Sequence, residues 1–343
     1  MEKVLHSIDI ASMKGIEIGP LHNPRIGKET ANVRYLDHAS ADELRAKYAG
    51  NPNDLAFYED IVDVDFVWRP GQTLAETVGE WAPVDFVVAS HLIEHIPDMV
   101  GWLGQVADLL ADNGILSLIV PDKRYCFDAK RQETTLAQLV DSALRRRQVA
   151  TFQQIFDHES NFAGEVDTAA LWAGMDPTPL RRSDVDSPER HALQRCLAQR
   201  DTGAYVDVHC STFTPQSFVR ILTGLAELDW LSFGVDELYY TETGSFEFFV
   251  TLRRLPRDIP RTQRLDLQRG SLARAATRFP VVDVPTPPPL PPPEPEPAPE
   301  PPDLAGLARS MEVSEREERF IHAKRRGLGA LRRAIHRPAG SGT

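Results

Sequence analysis

The chain has 343 residues, enough for one large domain with accessories, and its hydrophobic share of 42% is ordinary for a soluble globular protein. A formal net charge of -12 opposes the phosphate-neutralising contacts on which nonspecific nucleic-acid binding rests, so a nucleic-acid partner is disfavoured. The segment 1–15 lacks the long apolar core of a secretory signal, and no apolar run reaches the roughly 18 residues needed to span a bilayer. A cytoplasmic location is therefore expected. Cys126, Cys196 and Cys210 show no CxxC spacing, which argues against both a disulfide framework and a thiolate zinc site.

In chain order, short apolar runs at 15–19, 33–38, 61–67, 84–90 and 114–120 alternate with helical patterns. That alternation predicts βαβ units around a parallel sheet. The long polar and helical stretch 123–213 is too extended for a simple loop, and reads as an insertion with short helices of its own. Following the fifth strand, it should lie over the carboxyl ends of the strands, where open α/β sheets bind ligands. At its close, Thr214 and Pro215 read as the N-cap and first position of a helix. Two further runs, 230–240 and 245–252, predict a hairpin turning near Gly244. A connecting segment spans 256–284. Residues 285–302 are two-thirds proline and predict an extended spacer. The segment 303–343 is rich in Lys and Arg, with Leu328, Leu331 and Ile335 at helical spacing. It reads either as a solvated helix or as a helical basic tail that meets a partner protein or an anionic membrane surface.

The chemistry gathers where the apolar runs end. Glu17-Ile18-Gly19 closes the first run and opens a loop whose backbone can approach a ligand at Gly19. Asp37 ends the second run about twenty residues later. An acid at that spacing can accept hydrogen bonds from a ribose diol, although a helix N-cap at 37 is the alternative. At the third run Asp65, rather than Asp63, stands beside Phe66, a pair able to receive an exocyclic amine and stack on a purine. Phe66 and Trp68 read equally as core. The fourth run exits into Ser90-His91-Leu92-Ile93-Glu94-His95, which offers general acid-base chemistry. His-x-x-Glu-His also matches an inverted zinc-protease signature, but Pro97 cuts the helix that such a site requires. No metal site is expected. Lys123, Arg124 and Tyr125 follow the fifth run at the mouth of the site, and His209 closes the insertion as a second candidate base.

The order Glu17-x-Gly19, Asp37, Asp65-Phe66, 89–95 and Asn113-Gly114 resembles the class I methyltransferases of the type 11 kind, over residues 14 to 122. The resemblance implies a doubly wound, mostly parallel, seven-stranded α/β sheet. That sheet belongs to a domain over 1–255, and the cofactor is S-adenosylmethionine. It places Glu17 and Gly19 at the methionine end, Asp37 on the ribose, Asp65 and Phe66 at the adenine, and Ser90 and His91 on the pocket floor. Leu21 and Asn23 stand where the family carries its second and third glycines. His95 resembles a histidine of ubiquinone-pathway O-methyltransferases. The implied reaction is O-methylation of a small-molecule or saccharide hydroxyl, with His95 or His209 as base and Lys123, Arg124 or Tyr125 orienting the acceptor. A non-catalytic scaffold acting through the proline-rich spacer and basic tail is the alternative.

Overall fold

The computed structural model describes residues 2–49, 58–69 and 71–277, so the proline-rich spacer and the basic tail lie outside the described residues. A seven-stranded sheet runs through the domain in the order β3-β2-β1-β4-β5-β7-β6. Its strands are β1 (Lys14–Ile18), β2 (Asn32–Asp37), β3 (Phe66–Val67), β4 (Val84–Ser90), β5 (Leu110–Pro121), β6 (Phe233–Tyr239) and β7 (Glu247–Arg254). The first five are parallel to one another, whereas β7 pairs antiparallel with both β5 and β6. The helices are α1 (Ala41–Ala49), α2 (Leu74–Val78), α3 (Met99–Leu109), α4 (Leu136–Leu144), α5 (Phe152–Asn161), α6 (Thr168–Trp172), α7 (Pro188–Thr202), α8 (Pro215–Glu227) and α9 (Arg261–Thr277).

β4 is central because its Val-Asp-Phe-Val-Val-Ala run is apolar toward both faces. Val84, Phe86, Val87, Val88 and Ala89 are all buried. On one face Ile16, Val87, Trp102, Leu103, Phe218 and Leu222 form the larger core. The other face is closed by the amino-terminal segment. Val4 and Ile8 pack with Val33, Tyr35, Phe86 and Ile119, and the Ser117 hydroxyl donates to the Val4 carbonyl. Gly15 permits this closure, since a Cβ there would overlap the Phe86 ring.

The predicted strands at 15–19, 33–38 and 84–90 form with shifts of at most one residue, and the hairpin turns at Gly244, which has φ +83°. The fifth run, predicted over 114–120, begins four residues earlier, at Leu110, and the third run departs most. Only Phe66 and Val67 pair with β2, because Asp63, Val64 and Asp65 approach the sheet as irregular chain. Thr214 caps α8 with Pro215 in its first turn, as the residue types dictate. The segment 256–284 does more than connect. It carries α9, whose Gln268, Leu272 and Ala275 are buried, with the Gln268 amide donating to the Leu231 and Phe233 carbonyls of the β6 region.

The order of strands turns around between β1 and β4, the point beyond whose carboxyl ends open α/β sheets bind ligands. The segment between β5 and α8 carries α4 to α7, and its closing residues are fastened over those ends. Ser211 N–H donates to the Glu94 carbonyl, Asp207 pairs with Lys47 of α1, and Lys123 N–H donates to the Phe213 carbonyl.

Candidate active site

The loop after β1 keeps its shape without the family's later glycines. Glu17 is 1% exposed, and its two carboxylate oxygens accept the backbone N–H groups of Arg25 and Ile26 at 2.7 and 3.0 Å. Burial is the main reason its carboxyl is pushed up to about 7, with the two N–H groups and Arg25 pulling the other way. Gly19 has φ +70° and Leu21 φ +46°. Leu21 thus adopts the left-handed backbone that a glycine would take, and its carbonyl is held by Val62 N–H. This position sets an expectation for stability. Leu21→Gly should stay within about 1 kcal/mol of the wild type, while the β-branched Leu21→Val should lose about 1–2 kcal/mol. Thermal melting in the reverse order would contradict this loop.

Asp37 ends β2 and is buried, with Oδ1 taken by the His38 N–H and imidazole. Among the described residues Oδ2 carries no hydrogen bond. The helix that follows is capped by Ser40, whose hydroxyl accepts Glu43 N–H, so Asp37 is not a cap. Asp65, directly before Phe66, is already engaged. Its register neighbour is Tyr35, not Asp37, and its carboxylate holds Tyr35 N–H at 2.7 Å, Lys28 at 2.6 Å and Arg34 at 3.3 Å. An adenine amine would have to displace one of these partners. Phe66 is half-buried against the core, level with Leu36. Ser90 ends β4 and accepts from Arg25 Nη2 at 3.2 Å. His91 follows with φ +50°, an unfavourable backbone for a non-glycine residue, pinned by its Nε2 contact of 2.5 Å with Glu247 and by its N–H to the Ile119 carbonyl.

The acceptor side is built by the turn Ile93–His95 and by the end of the insertion. The His95 and His209 rings meet edge to face, with centroids 4.6 Å apart. A carboxylate stands beside each, and that of Asp128 is hydrogen-bonded to His209. Asp207 lies 2.9 Å from His95 Nδ1, and Asp128 lies 2.5 Å from His209 Nδ1. Burial draws the His95 imidazole down, but the Asp207 and Glu94 carboxylates outweigh it and leave the group above its usual value. For Asp128 burial works upward, yet His209 and Arg131 pull the carboxyl well below the usual range. His158 is driven down to about 3 by burial, with Arg131 and His209 adding to the effect. It is therefore neutral, and its Nδ1 accepts the His209 N–H. Neither Asp128, Asp207 nor His158 is distinguished in the sequence, since each acts on a residue distant along the chain or across a turn.

Lys123, Arg124 and Tyr125 stand at the mouth but are occupied. Lys123 Nζ donates to the Ala129 carbonyl, and burial lowers its pKa. Arg124 forks onto the buried Asp122 at 2.9 and 2.6 Å, and Tyr125 stacks on Trp172 at 3.8 Å. A cavity of about 1440 Å³ lies apart from these groups, among α4, α5 and α7.

Residues 11–225 match the model of a family described as "Methyltransferase domain". The chain belongs to this family. With its strand order it is a class I methyltransferase, and S-adenosylmethionine is its cofactor. The methyltransferase is also similar to solved structures of S-adenosylmethionine-dependent methyltransferases from Methanosarcina mazei and Mesorhizobium loti. The first is 14% identical over 74% of this chain and 97% of its own, with a TM-score of 0.33. The second is 13% identical over 73% and 95%, with a TM-score of 0.34. No curated protein matches the chain. The cofactor is compatible with the residues present. A buried acid with one oxygen unengaged at the end of β2 suits a diol, and a Cβ placed on Gly19 would meet only Leu92, at 3.9 Å, so the backbone there is open to close approach.

Proposed function

We propose that this methyltransferase acts on a hydroxyl of a small-molecule or saccharide acceptor. The observation that carries this reading is the pair of facing imidazoles, His95 beyond the end of β4 and His209 at the close of the insertion, each with a carboxylate beside its Nδ1. The Asp128 carboxylate on Nδ1 of His209 fixes its tautomer and leaves Nε2 to take a proton, which is how a weakly acidic hydroxyl is made nucleophilic near neutral pH.

Bound S-adenosylmethionine supplies a methyl group already activated on sulfonium. The chain's own residues then have three tasks. Asp37 Oδ2 would accept a ribose hydroxyl, while Gly19 and the loop held by Glu17 would receive the methionine end. Ser90 and His91, fixed by Arg25 and Glu247, would floor the pocket, and Phe66 would flank the adenine. His95 and His209 would face the acceptor, and the insertion that carries His209 would keep water out. With Arg124 and Tyr125 held by Asp122 and Trp172, the mouth is preorganised and does not depend on free side chains. A saccharide hydroxyl is the acceptor class implied by the family resemblance.

Calorimetry with S-adenosylmethionine and S-adenosylhomocysteine tests the cofactor side. The wild type should bind both, and Asp37→Ala should weaken binding at least about 30-fold, the equivalent of about 2 kcal/mol for charged hydrogen bonds. Unchanged affinity in Asp37→Ala would remove the ribose role. Methyl transfer to model sugars and phenols, with His95→Gln and His209→Gln as controls, tests the acceptor side.

A further inference from the structure

We propose that Glu94, His95 and His209 form a binding site for a divalent transition-metal cation. This deepens the acceptor-side reading given above, because the two imidazoles would then act on the hydroxyl through the cation and not as free bases. It departs from the sequence, which led us to expect no metal.

The first observation is convergence. One ligand atom from each of the three side chains lies within 4.8 Å of the other two, although His209 comes from the end of the insertion, more than a hundred residues away. Ligands bonded to one cation at about 2.1 Å stand about 3.4 Å apart, so small side-chain rotations complete the site. The second is an unpartnered carboxylate. Glu94 is 0% exposed, and neither of its oxygens has a hydrogen-bond partner among the described residues. His91 Nδ1 approaches Oε1 only to 3.6 Å, beyond hydrogen-bond reach, while its other nitrogen serves Glu247. An ionised carboxylate out of water needs a compensating charge, and a cation between Glu94 and the two rings supplies one. The third is the arrangement behind the rings. Asp128 is hydrogen-bonded to Nδ1 of His209, the carboxylate-histidine pattern that leaves Nε2 for a metal and raises its basicity, and Asp207 lies 2.9 Å from Nδ1 of His95. Buried Arg131 in turn holds Asp128 at 2.9 Å, so the brace behind His209 is itself fixed.

Two imidazoles and one carboxylate suit Zn²⁺, Co²⁺ or Fe²⁺ better than Mg²⁺ or Ca²⁺, which prefer oxygen alone. Three protein ligands leave at least one position for an acceptor hydroxyl, and coordination makes such a hydroxyl more acidic.

The full-length protein, stripped with a chelator, is titrated with ZnCl₂ by calorimetry, and retained metal is counted by atomic emission after dialysis. The wild type should hold one equivalent that Glu94→Gln and His209→Gln lose or bind at least 10-fold more weakly. Asp207→Asn, at a half-exposed side chain, should weaken binding about 10-fold and serves if the buried variants fail to fold. Co²⁺-loaded protein should show a visible absorption band that Glu94→Gln alters. No saturable binding by the wild type, or unchanged stoichiometry and affinity in every folded variant, would overturn the site. S-adenosylhomocysteine affinity, measured on the same samples, reports on the cofactor pocket separately. Its persistence without metal binding would sink the cation site alone and leave free imidazoles as the bases. Its absence would count against the cofactor pocket while leaving the metal result to stand.

Discussion

Asp128→Ala is expected to destabilise the protein by about 3–5 kcal/mol, the range for removing one partner of a buried ion pair. Asp128 is 1% exposed and Arg131 3%, so neither can turn to water when the other is lost. The guanidinium would keep Asp157 at 2.8 Å, but its Nη1 would face an apolar gap. His209 would lose the carboxylate that fixes its ring. Asp128→Asn separates these effects, because an amide of the same shape offers one acceptor oxygen and cannot serve Arg131 and His209 as the carboxylate does. Its folding should survive with a loss of about 1–3 kcal/mol, the penalty for one unsatisfied buried group. Methyl transfer should fall at least about 100-fold, as expected when an imidazole loses its orienting acid. Urea denaturation gives the first quantity and single-turnover methylation the second. A Cm for Asp128→Ala within error of the wild type would show that Arg131 and His209 find other partners.

The second large effect concerns Glu17. Glu17→Ala strands two backbone donors, the part-buried Arg25 N–H and the buried Ile26 N–H, and should cost about 2–4 kcal/mol. The ionisation of this group adds a pH dependence of unusual sign. Its carboxyl is raised from 4.5 to about 7 in the folded protein, mainly by burial, so the folded state binds its proton more tightly than the unfolded state. Between those values the folded chain carries the extra proton, and stability therefore falls as pH rises through the window. Above it the full penalty applies, about 3 kcal/mol at 1.36 kcal/mol per tenfold change in proton affinity. Glu17→Gln removes the titration while keeping one acceptor oxygen. Subtracting its Cm from that of the wild type at matched pH should give a difference that moves against the wild type from pH 5 to 7.5. A difference independent of pH would mean that Glu17 stays ionised throughout.

These two residues mark how far the sequence could be read. Glu17 was visible because a strand-ending acid followed by glycine is a local pattern, yet its expected place beside the cofactor is modified by what its oxygens do. They hold the loop that glycines would otherwise shape. Asp128 carried no local signal. Its partner His209 lies 81 residues away, and only the folding of the insertion over the strand ends joins them. Asp65 shows the reverse case: the residue type suits an adenine contact, and the register of β3 against β2 also brings its carboxylate to Tyr35, Lys28 and Arg34. Such a register depends on where two residues of β3 can pair, which no periodicity in so short a run encodes.

The sequence by itself determined the parallel sheet, the hairpin that closes it, the capped start of α8 and the positions of Gly19, Asp37 and Ser90 at strand ends. Each follows from apolar runs, turn residues and caps acting over a few positions. Tertiary structure alone decided that Glu94 is buried with neither oxygen hydrogen-bonded among the described residues, that His95 and His209 face each other, and that Asp207 and Asp128 stand beside them. Those relations arise from the burial of charges brought together by chain closure, and their energies depend on the solvent that the fold excludes and not on neighbours along the chain.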